Sequence, residues 1–201
     1  MKIFLSLLTI ALTTISTSNV FLEKAASKSV QTPQCPNPFP STYKYSSKTK
    51  YVKIPDLGIS VRVPEDNRLV YIKKEGKFTF MTPPEYKSYQ CSLDNKIDYT
   101  SFYQNPRYYG YTVIKNPKKQ PLLTILKETY KDTISIERLG KLRLNRIDFL
   151  TTPVDQGDPT TGWFTPKTKP EIVVKYSVFC DCGSDYSNLT DDLSDIKNIL
   201  E

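Results

Sequence analysis

The chain has 201 residues, a formal charge of +7, four cysteines and no histidine. Without histidine there is no Ser-His-Asp or Cys-His device and no imidazole base. No G-x-S-x-G, P-loop or dinucleotide fingerprint is present, so the expectation is a protein that is not an enzyme and takes no cofactor.

Met1-Lys2 is followed by an apolar-rich run from Ile3 to Ile15, the layout of a secretory signal peptide. The expected signal spans 1–18, with Ala25-Ala26 allowing a cut as late as 26. A membrane span needs roughly 20 apolar residues, so a cleaved signal is expected over this run, with an uncleaved anchor as the alternative. Export places the protein in a periplasm, a lumen or the extracellular space, where disulfides persist. The cysteines are Cys35, Cys91, Cys180 and Cys182. Cys180 and Cys182 stand two apart on an extended segment, where side chains point the same way and a mutual bond is strained. Each is therefore expected to pair with Cys35 or Cys91, in either order. A metal site is not expected, because C-x-C lacks the C-x2-C spacing of a zinc knuckle.

Residues 19–50 read as an irregular lead-in rich in Pro, Ser and Lys, and 51–201 as a single α+β domain. Ile59, Val61 and Val63 alternate with Ser60 and Arg62, a half-buried strand. Leu69–Lys73 and Lys77–Met81 flank Lys74-Glu75-Gly76 and read as a hairpin, ended by Pro83-Pro84. Residues 86–111 are tyrosine-rich and irregular until a short strand over Tyr111–Ile114. Pro121–Lys131 carries Leu122, Leu123, Ile125, Leu126 and Tyr130 at helical spacing. Two further strands are expected over Thr133–Leu139 and Lys141–Leu150, around Gly140. The stretch Thr151–Pro170 reads as a long loop bearing the only tryptophan, Trp163.

The last strand sets Ile172, Val174, Tyr176 and Val178 on one face, with Val173 and Phe179 on the other. A closing helix is expected from a Thr190 cap, with Leu193, Ile196 and Leu200 as its buried stripe. From Asp181 onward six acidic residues face Lys197 alone, so the body is basic and the tail acidic. An EF-hand frame begun at Asp181 puts Tyr186 where glycine is required, so calcium is not expected there. Strands, helix, strands and terminal helix give an α+β class with a largely antiparallel sheet, disulfide-stapled.

Leu57-Gly58-Ile59-Ser60-Val61 ending at Pro64 is similar to the opening strand of the PsbP-like family. The hairpin ending in Pro after Phe78-Thr79-Phe80, the mid-chain helix and the closing strand-turn-helix extend that likeness over residues 51–201. The chain departs from the pattern at Asn67-Arg68, where the family usually has a tryptophan. The resemblance implies an αβα sandwich. It also implies a non-catalytic accessory protein docking on complexes at a lumenal or periplasmic membrane face.

Two binding surfaces follow from the residues. Trp163 and Phe164, at the tip of a polar loop, would anchor a protein partner, and Lys115, Lys118 and Lys119 would add charge for docking on an anionic face. Alternatively, the segment 99–111, with Tyr103, Arg107, Tyr108 and Tyr109, would stack on sugar rings. A basic body could also meet nucleic acid, but export makes that the weakest of the partner classes.

Overall fold

The computed structural model describes residues 34–97, 108–131, 133–152, 160–179 and 187–199. The expected signal, Cys180, Cys182, Tyr103 and Arg107 lie outside them. Gln34–Glu201 forms one compact unit. In chain order its elements begin with β1 (Thr49–Ile54), β2 (Ile59–Pro64), β3 (Arg68–Ile72), β4 (Lys77–Met81) and α1 (Pro83–Asp94). Next come β5 (Tyr108–Lys115), α2 (Leu122–Thr129), β6 (Gly140–Leu144), β7 (Ile147–Thr151) and β8 (Thr160–Phe164). The chain closes with β9 (Ile172–Phe179), α3 (Ser187–Ser194) and β10 (Ile196–Asn198).

The strands form two antiparallel sheets. One is three-stranded, in the order β1-β2-β10, and the other seven-stranded, in the order β3-β4-β5-β9-β8-β7-β6. The α+β class with antiparallel sheets is as the sequence indicates. Period-2 alternation sends Val61 and Val63 inward, while Arg62 faces water and pairs with Asp195 at 2.6 Å. In β9 the same alternation divides the two cores. Val174 and Tyr176 join Phe80, Phe149 and Phe164 against the three-stranded sheet and Leu193 of α3. Val173 turns to the other face, where Trp163 and Leu150 meet Ile125 and Leu126 of α2.

Four expectations are corrected. Cys35 is bonded to Cys91, so neither pairs with Cys180 or Cys182; the staple ties the lead-in to α1 rather than to the last strand. α1 itself was expected to be irregular. Thr82 and Glu85 form a reciprocal capping box around Pro83 at the first helical position, which starts a helix where Pro-Pro suggested only a strand end. The β6–β7 hairpin turns at Asn145-Arg146, both at positive φ (50° and 63°), the primed-turn geometry that fits strand twist. Gly140 therefore starts β6, and the expected strand before it holds a 3-10 turn over Ile136–Arg138. Lastly, α3 starts at Ser187 and stops at Ser194, so Ile196 lies in β10 instead of on a helical stripe.

Candidate functional site

Trp163 and Phe164 are not at a loop tip. They end β8, an interior strand bonded to β7 on one side and β9 on the other. Successive residues of a strand face opposite ways, so Trp163 enters the α2 core at 1% exposure and Phe164 the inter-sheet core at 0%. Phe164 packs on Phe149 with ring centroids 5.0 Å apart, and Trp163 lies edge-on to Tyr130 at 5.7 Å. The Trp163 indole N–H has no hydrogen-bond partner, a cost outweighed by the buried ring. Gly162 lies close under α3: a Cβ there would sit 3.0 Å from Leu193 Cδ1, so a side chain would require Leu193 to give way by a few tenths of an ångström. Both aromatics are therefore core residues and cannot anchor a partner.

Lys115, Lys118 and Lys119 fare differently. All three are exposed, Lys115 at the end of β5 and Lys118 and Lys119 on the connection to α2. Asn116, fully buried, holds that connection in a closed clamp: its Nδ2 donates to the Gln120 carbonyl and its Oδ1 accepts from the Gln120 N–H, each at 2.9 Å. The Asn116 N–H donates to the Glu171 carbonyl at 2.7 Å, and the Lys119 N–H to the Asn116 carbonyl at 2.9 Å. Lys119 adopts positive φ, 52°. The backbone carrying the three ammonium groups is thus fixed by a buried amide, and none of them has an ion-pair partner among the described residues. In the sequence Asn116-Pro117, with Pro121, marks the entry to the mid-chain helix; the clamp made by the Asn116 amide is what the structure adds.

A third polar region surrounds the start of α1. Glu85 Oε2 accepts from both the N–H and the hydroxyl of Thr82, each at 2.7 Å. Burial pushes the Glu85 carboxyl above its ordinary range, against the lowering by those hydrogen bonds. The Tyr43 hydroxyl donates to Asp66 Oδ2. Desolvation first, then that bond, push the Tyr43 phenol up to about 12. The Tyr43–Asp66 bond ties the lead-in to the turn after β2, and the Thr82–Glu85 bonds close the start of α1 on itself.

Of the tyrosine-rich segment, Tyr108 and Tyr109 open β5, opposite Phe179 and Val178. Tyr103 and Arg107 lie outside the described residues. Among the described residues no group of three or more His, Cys, Asp or Glu comes together to hold a metal ion. None of their helices is long and apolar enough to cross a membrane. No family model, no curated protein and no solved structure matches this chain.

Proposed function

We propose that the protein is a non-catalytic, exported binding protein that docks on an acidic partner at an extracytoplasmic membrane face. The observation that carries this reading is the lysine trio on the connection pinned by Asn116. A cationic surface steers an anionic partner toward it, and a backbone that is already ordered loses little further freedom on binding. The lack of histidine and the sequence likeness to PsbP-like accessory proteins support the same reading, and the disulfide is compatible with an oxidising compartment.

The test is retention of the tagged protein on membranes from the cells that make it. Wild type should sediment with the membranes and elute as salt rises. Lys115→Glu/Lys118→Glu/Lys119→Glu should weaken retention by about tenfold or more. A triple variant retained as well as wild type would contradict the proposal. Elution by free sugars and not by salt would favour the sugar-binding alternative instead.

A further inference from the structure

Beside α2 lies a groove of about 430 Å³, within the roughly 300–1,000 Å³ of ordinary ligand pockets. Its lining takes in Leu122 and Leu123 from the first turn of α2 and Leu142, Phe149 and Leu150 from the β6–β7 hairpin; of the hairpin's three, Leu150 alone faces α2, since Leu142 and Phe149 turn into the inter-sheet core. Leu123 is 40% exposed, so apolar surface at the mouth stays in contact with water at a free-energy cost.

The remaining lining residues are charged. Register places Lys141 opposite Leu150 and Arg143 opposite Asp148, which puts both cations on the side of the sheet covered by α2. Lys141 has no ion-pair partner among the described residues. Arg143 meets Asp148 only at 3.5 Å, with side chains 73% and 77% exposed, a pairing that contributes little in water. β6 is the edge strand of its sheet, so the rim opens outward. An apolar trough ending at Lys141 and Arg143, against the one carboxylate of Asp148, keeps a net positive charge at that end and suits a long apolar tail with an anionic head.

We infer that this groove binds a single-chain anionic amphiphile, with its chain along Leu122, Leu123 and Leu150 and its carboxylate or phosphate head against Lys141 and Arg143. The inference stands independently of membrane docking, because it uses none of Lys115, Lys118 and Lys119.

Trp163, the sole tryptophan, stands across from Leu150 on the neighbouring strand, so its fluorescence reports on the groove. The experiment titrates the full oxidised chain with laurate, dodecyl phosphate and dodecanol below their aggregation limits, by calorimetry and by Trp163 emission. Laurate and dodecyl phosphate should bind one to one. Dodecanol should bind about tenfold more weakly, for lack of the charge-assisted bonds. Preference between the two acids identifies the head group.

Lys141→Glu/Arg143→Glu should erase the advantage of the acids over the alcohol, and Leu123→Ser should weaken all three ligands. Lys115→Glu/Lys118→Glu/Lys119→Glu should leave laurate binding unchanged even where it abolishes membrane retention. No binding of any of the three ligands by wild type would overturn the inference. So would laurate binding that neither groove variant alters. Dodecanol binding as tightly as laurate would remove the anionic part of it.

Discussion

α1 and α2 are held to the same molecule by different means. α2 is attached by Ile125 and Leu126, which enter the core around Trp163. α1 buries Glu85, Ser88 and Ser92, with no apolar side chain fully buried. It is held by the capping box, by the Cys35–Cys91 bond, and by Arg68 lying over the Tyr86 ring at 4.9 Å. A helix without an apolar stripe gains little from solvent exclusion, so covalent and polar fastenings take over. α2, fastened by its buried side and by the Asn116 clamp at its entry, leaves the outer side of its entry loop and first turn exposed to a partner. The comparison separates a corner built for attachment from a corner built for contact.

Removing the staple should have the largest effect. The bond closes a loop of sequence separation 56, for which chain-entropy arguments give about 4 kcal/mol. Cys35→Ser/Cys91→Ser should therefore lower the denaturant midpoint steeply, and protease cleavage should appear first in the lead-in and α1. If α1 remained as protected as before, its polar contacts would suffice alone. Leu126→Ala follows, at about 3 kcal/mol for a fully buried leucine. It should loosen α2 and reduce membrane retention together, whereas the cysteine variant, at temperatures where it is folded, should leave retention intact.

The smallest effect sharpens the polar side of the comparison. The Glu85 carboxyl, raised from its ordinary 4.5, binds its proton more tightly in the folded state than in the unfolded one. Its favourable contribution is then fully present below pH 4.5 and is lost as pH rises through the folded value. Glu85→Gln keeps an oxygen to accept from Thr82 and removes the titration. Urea midpoints of the variant should be flat across that window, and no lower than wild type at neutral pH. A slope equal to that of wild type would show that another group titrates there.

What could be read from the sequence follows from these same forces. β2 and α2 each bury one face and expose the other, so their periodicity is visible; the β3–β4 hairpin is marked by its Gly76 turn, and β9, covered on both faces, by its long apolar run. α1 was missed because its buried face is Glu85, Ser88 and Ser92, which carries no hydrophobic signal; only Thr82-Pro83-Pro84-Glu85 announced it. β8 was missed for the opposite reason. Thr161 to Phe164 are buried on both faces, and Gly162 contributes no side chain, so Trp163 and Phe164 read as a loop tip. Of the candidate contact residues, the three lysines are exposed as expected. The buried Asn116 that fixes them is apparent only once its contacts with Gln120 and Glu171 are known.

The most direct test of the contact corner is residue-resolved hydrogen exchange of the full oxidised chain, with and without membranes from its native cells. The account predicts slower exchange over residues 115–129, reversed by salt, and no change over Pro83–Asp94. Protection centred on α1, or equal protection of both helices, would contradict it.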